Sequence, residues 1–225
     1  MKAELIEFYG TDLSAVNAAR VSMDKESKWE YDLTKEPHTY LNDKDAKLIK
    51  YLADHNHASC FEHQGVTLRL KVPIFVARQI HRHRTFSYNE VSRRYVKENL
   101  EFYWPEKWYG APENNIKQGS SDKAVDGNEG LCNLVKSTVE QSVVQLYKDM
   151  LAEGVAPEMA RMILPQNLYT QFYMTGNLRN WVHFLKLRLD KHAQKEAQEI
   201  ASQCAALIEP LFPVSYKALM SAGRD

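Results

Sequence analysis

The sequence predicts an α+β fold, with mixed helices packed around a small central sheet that is antiparallel or mixed. Three observations carry this. Residues 65–72 alternate strictly, with Val66, Leu68, Leu70 and Val72 on one face and Thr67, Arg69 and Lys71 on the other, which is the period of a strand with one wet or interfacial face. Apolar residues elsewhere recur every three or four positions over long runs, the period of amphipathic helices. Strand-like runs are few and far apart, so they pair through distant sequence.

Taken in order, residues 3–9 form a first strand from Leu5, Ile6, Phe8 and Tyr9, closed by Gly10. Asp12 or Ser14 caps a short helix carrying Val16, Ala19 and Val21. Residues 25–38 have no clean period and read as loop. Asn42 is the N-cap of a helix through Ala46, Leu48, Ile49 and Leu52, reaching about Asn56. Pro73 ends the alternating strand and suits the first turn of a helix over residues 74–82. Residues 101–104 read as a short strand. Residues 105–130, rich in Gly, Asn, Ser, Asp and Lys, read as a mobile surface loop within a single domain spanning 1–225. A helix follows over 131–151, stopped by Gly154. Pro157 opens a short helix with Ala160 and Ile163, limited by Pro165. Residues 168–174 form an aromatic and polar strand, and Asn177 opens a helix with Trp181, Phe184, Leu185 and Leu187. A last long helix covers 193–208. Tyr169, Phe172, Tyr173 and Trp181 are assigned to the core, the usual fate of such aromatic stripes.

The chain has 225 residues, long enough to bury a substantial core, and balances 29 basic against 29 acidic side chains. That neutrality excludes wholesale coating of nucleic acid or membrane, so any anion site is local. Three widely spaced cysteines, Cys60, Cys132 and Cys204, suit reduced thiols in the cytoplasm rather than a disulfide framework. No secretory signal and no membrane-spanning apolar run is expected.

The chemistry concentrates in RHRTFSYNEVSRRY, from Arg82 to Tyr95. It holds Arg82, Arg84, Arg93 and Arg94, the imidazole of His83, the hydroxyls of Ser87, Ser92 and Tyr95, and the carboxylate of Glu90. Several planar guanidinium forks in one segment suit a multiply charged anion. A solvated charged face is the bland alternative, but Phe86, Tyr88, Val91 and Tyr95 are interleaved with the charges. Two further clusters stand out. His55, His57 and His63 look like metal-ligand density, though a polar helix end explains them equally well. In LRLDKHAQ, from Leu187 to Gln194, a continuing helix puts Arg188 and His192 four apart on one face, either converging on an anion or solvated.

The order Arg82, His83, Arg84, seven residues, then Ser92 resembles the signature of the flavin-dependent thymidylate synthases, and Ser87, Asn89, Glu90, Arg94 and Tyr95 match the longer pattern. HASCFEH, from His57 to His63, resembles the family's short motif before the strand, and Arg188 followed by His192-Ala193-Gln194 resembles its C-terminal signature. The likeness covers nearly the whole chain and implies that family's fold. It also implies reductive methylation of dUMP to dTMP without a cysteine nucleophile. In that reaction 5,10-methylenetetrahydrofolate gives the carbon, FAD carries hydride and NADPH is the reductant.

Carried over by position, the catalytic residues are Arg188, His57, Glu90 and Ser92. The dUMP site takes Gln79, Arg82, Glu90, Ser92, Arg94, Arg161 and Arg188. FAD contacts fall on Ser59, Arg82, His83, Arg84, Glu90, Asn177, Arg179, His183 and His192. His183 departs from the pattern, since some members have asparagine there. The resemblance implies no metal, and a homotetramer with sites shared between subunits. Two other classes compete: a module binding RNA or another polyanion, marked by steep salt dependence and no chromophore, and a histidine-based metal hydrolase, marked by loss of activity with chelator. Neither accounts for the spacing of the arginines, Glu90 and Ser92.

Overall fold

The computed structural model describes residues 1–34, 36, 38–112 and 119–223. Its first element, β1 (Lys2–Tyr9), runs into α1 (Asp12–Arg20) through Gly10. A small hairpin, β2 (Glu30–Tyr31) with β3 (Thr39–Tyr40), precedes α2 (Asp43–Asp54). Then come β4 (Gly65–Pro73), α3 (Ile74–Ile80) and β5 (Ser87–Glu90). After the segment around residue 110, α4 (Asn128–Thr138), α5 (Val144–Ala152) and α6 (Pro157–Ala160) lead to β6 (Tyr169–Asn177). The chain closes with α7 (Leu178–Arg188), α8 (Lys195–Ile208) and α9 (Pro213–Ser221).

The main sheet has the order β1-β4-β6-β5 and every pairing in it is antiparallel. β4 is central because its alternation supplies four side chains, Val66, Leu68, Leu70 and Val72, that are at most 1 % exposed. Each contributes about 1.5–3 kcal/mol of burial. They pack with Phe172 and Met174 of β6, Trp181, Phe184 and Leu185 of α7, and Ile200 and Cys204 of α8. The indole N–H of Trp181 donates to the Val66 carbonyl at 3.0 Å, fastening α7 to β4. A second cluster joins Val16, Ile49, Leu52 and Phe61 beside α9. There the buried carboxylate of Asp12 accepts the N–H groups of Val214 and Ser215 at 2.9 and 2.8 Å, so the start of the chain caps its last helix.

Several expectations change. Thr11, not Asp12 or Ser14, is the N-cap of α1; the Ser14 hydroxyl instead accepts the Thr11 N–H at 3.0 Å. Val21 falls beyond α1 on a 3₁₀ turn and is 72 % exposed. The loop expected at 25–38 contains β2. The wet face of β4 is half covered, with Thr67 buried against Thr175 of β6. Residues 101–104 make only an isolated bridge, Phe102 to Leu168, because Pro105 and Pro165 stop the pairing from extending. Of the expected loop, residues 113–118 lie outside the described residues, a bridge joins Tyr109 to Ala124, and residues 128–130 belong to α4. Tyr173 is 43 % exposed rather than core. Asn42 and Asn177 cap α2 and α7 as their side-chain chemistry requires, accepting from Asp45 and Asn180.

Candidate active site

Helix α3 carries Ile74, Ala77, Arg78 and His81 at the i, i+3, i+4, i+7 spacing of one helical face, His81 standing one residue past its end. That face is one wall of a cavity of about 560 Å³. Glu90, Ser92 and Arg93 line it from β5 and the turn after it, and Arg161 and Thr170 complete it. The Tyr88 hydroxyl donates to the carbonyls of Ile80 and His83 at 3.1 and 2.9 Å, which fixes β5 against the end of α3. Burial pushes that phenol up to about 12. Across the sheet, Gly176 lets Phe86 lie over β6: a Cβ there would stand 2.5 Å from the Phe86 ring.

Inside the cavity the Thr170 hydroxyl donates to the Glu90 carboxylate, holding it in place. The His81 ring is wedged 4.7 Å from both Tyr88 and Phe172, and its buried Nε2 has no hydrogen-bond partner among the described residues. Burial lowers its pKa, so at neutral pH the imidazole is uncharged. Arg93 donates to the Glu98 carbonyl at 2.9 Å and is largely committed to that turn, burial lowering its pKa. Three guanidiniums, Arg78, Arg93 and Arg161, thus face one carboxylate, Glu90. Such a lining draws in an anion.

A second cluster forms at the C-terminal end of α7. Arg188 donates from Nε to His83 Nε2 at 3.1 Å and from Nη2 to the Gln79 carbonyl at 3.0 Å. Because the guanidinium only donates, His83 accepts with a bare Nε2 and keeps its proton on Nδ1. His83 is buried against Phe184, and its pKa is pushed down to about 4 by that burial, then by Arg188 and His183. Arg188 is lowered in turn by burial and by Arg82. The Gln79 amide donates to Gln194. Around this knot Arg82, Arg84, Arg179 and His183 are exposed, as are His57 and Ser59 at the 3₁₀ turn before β4. Arg179 pairs with Glu62 of that turn at 2.7 Å, which joins the two segments.

The sequence-predicted residues therefore divide. Glu90, Ser92 and Arg161 share the cavity, while Gln79, Arg82 and Arg188 gather round His83 without lining it. Arg94 pairs with Glu158 at 3.0 Å and is not part of the cavity wall. The expected helical face joining Arg188 to His192 does not exist. α7 stops at Arg188 because Asp190 takes the His192 N–H at 2.8 Å and its Nδ1 at 2.9 Å, a local bond that competes with the helix. Among the described residues no three His, Cys, Asp or Glu side chains gather as a metal site, and His55 stacks on Tyr51 instead. Sequence reasoning missed Arg78, His81 and Thr170. The four-residue periodicity of α3 is the signal that finds the first two.

An antiparallel α+β scaffold holds a cavity lined by excess guanidinium charge, beside a surface of exposed guanidiniums and imidazoles, an arrangement suited to an anionic small molecule. Residues 4–214 match the family model described as thymidylate synthase complementing protein. The chain is 41 % identical over 217 residues to a flavin-dependent thymidylate synthase of Thermotoga neapolitana, covering 96 % of this chain and 89 % of that protein. It is 42 % identical over 214 residues to one of Thermus thermophilus, covering 95 % and 73 %. The crystal structure of a UMP/dUMP methylase, PolB from Streptomyces cacaoi bound with 5-Br dUMP, superposes with a TM-score of 0.82 at 31 % identity, covering 99 % of this chain and 96 % of that one. The chain belongs to the flavin-dependent thymidylate synthase family and is a flavin-dependent enzyme.

Proposed function

We propose that this enzyme makes dTMP by reductive methylation of dUMP, with 5,10-methylenetetrahydrofolate as carbon donor, FAD as flavin and NADPH as reductant. The observation that carries the reading is the cavity itself, where Glu90, Ser92 and Arg161 of the family pattern stand together among excess guanidinium charge. dUMP offers a phosphate dianion for the arginines and uracil carbonyls for hydrogen-bond donors. Guanidiniums held against those carbonyls stabilise the negative charge that builds on the ring as it is attacked.

The exposed surface fits a flavin dinucleotide. Arg82, Arg84 and Arg179 offer cations to a pyrophosphate, and His57 and His183 offer flat rings and hydrogen bonds to a heterocycle. FAD bound there supplies the hydride chemistry. His83, neutral and locked by Arg188, orients that guanidinium. A reaction without a cysteine nucleophile is supported by two of the three thiols. Cys60 and Cys204 are buried with their pKa values raised by desolvation, so neither is a ready thiolate. The free thiols also suit a cytoplasmic setting.

The division of the nucleotide-binding set supports a shared site in a homotetramer: Gln79, Arg82 and Arg188 of one subunit complete the cavity of another. The test is the visible absorption spectrum of the purified protein loaded with FAD and titrated with dUMP. A flavin band that shifts on adding dUMP is expected. A protein that takes up no FAD, or holds a band indifferent to dUMP, overturns the reading.

A further inference from the structure

The three guanidiniums of the cavity are not equivalent. Arg93 is half-buried and spent on the Glu98 carbonyl. Arg78 and Arg161 are exposed at the cavity's edge, on α3 and on the 3₁₀ turn Arg161–Ile163. Other arginines of the molecule have carboxylate partners: Arg69 pairs with Glu4, Arg94 with Glu158 and Arg179 with Glu62. Arg78 has none among the described residues, although it stands in the same wall as Glu90. That carboxylate is already held by Thr170. One turn along α3, His81 is its neighbour and carries no charge to compete for an anion.

A planar fork left unpaired at the rim of a cavity that a second unpaired fork also lines matches the oxygens of a phosphate monoester two at a time. Resting on the nucleotide reading above, we propose that Arg78, which lies outside the signature segment, is a substrate-binding residue that grips the phosphate of the nucleotide together with Arg161. Its position is set by the helical face that also presents Ala77 and His81, and not by the segment from Arg82 to Tyr95.

The experiment compares dUMP with deoxyuridine, which lacks the phosphate, by calorimetric titration of the FAD-loaded wild type, Arg78→Ala, Arg78→Gln and Arg78→Lys proteins. Arg78→Ala and Arg78→Gln are expected to weaken dUMP about 10- to 100-fold and deoxyuridine less than about twofold, with Arg78→Lys between. Unchanged dUMP affinity in the Ala and Gln variants, or an equal loss for both ligands, overturns the assignment while leaving the function intact. A wild-type protein that binds no dUMP overturns the function and this assignment with it.

Discussion

Glu90 and Ser92 of the cavity follow closely in sequence on His83 of the cluster with Arg188, yet the two regions are built differently. The cavity is walled by α3, β5 and β6, with its carboxylate already positioned by Thr170. The cluster is a hydrogen-bonded knot around the buried His83, ringed by exposed side chains. The difference teaches that a single chain can build a walled cavity and an open surface from two sides of the same short helix. Helix α3 explains the division. One face turns Arg78 and His81 to the cavity, and the next turns Gln79 towards Gln194 and Arg188.

The largest effect comes from setting the two regions against each other. Arg161→Ala and Arg188→Ala are each expected to lower dTMP formation by about 100-fold or more, and Arg188→Ala to weaken dUMP while leaving flavin bound. If sites are shared between subunits, unfolding and refolding the two variants together restores about a quarter of wild-type activity, since each region is intact in half the chains. No recovery in the mixture, with both variants assembled, would place both regions of a site on one chain.

A smaller effect probes the buried knot alone. Folded His83 titrates near 4 and an unfolded histidine near 6.5, so the unfolded chain takes up the proton first as pH falls. Its contribution is fully present above pH 6.5 and is lost as pH falls towards 4. Denaturant unfolding should show wild type losing about 2 kcal/mol across that window relative to His83→Gln. Parallel pH profiles for the two proteins would show that burial of His83 has no such linkage.

The smallest effect sharpens the cavity side. Thr170→Val removes the donor to Glu90 and is expected to weaken dUMP by about 1 kcal/mol, near fivefold, without changing flavin uptake. A matching loss of flavin would mean that the two regions are mechanically one. Competition binding with each ligand separates these outcomes.

Much of this was legible in sequence where a local rule fixes the structure. The alternation of Val66 to Val72 marked the central strand, and the short amides of Asn42 and Asn177 marked two helix starts. The signature segment stood out by its density of polar side chains, and its Glu90, Ser92 and Arg93 line the cavity. What escaped notice depends on three-dimensional direction. Arg78 precedes the signature and declares itself only when α3 is given a face. The break at Arg188 hinges on which bond Asp190 prefers, a choice between a helical and a side-chain acceptor that spacing cannot rank. Thr170 reaches Glu90 across 80 residues, through a strand register that no local pattern records.

The bond between Asp12 and the start of α9 gives biosynthesis a timetable. The carboxylate is made well before its two partners, Val214 and Ser215, which come about two hundred residues later. At roughly 5–20 residues per second that interval lasts about 10–40 s. Throughout it the nascent chain carries an acid without its destined donors and a second core cluster without its final helix. Closure of this contact therefore waits on the synthesis of Ser215, and a chain cut before Val214 leaves the Asp12 carboxylate without both of its N–H donors.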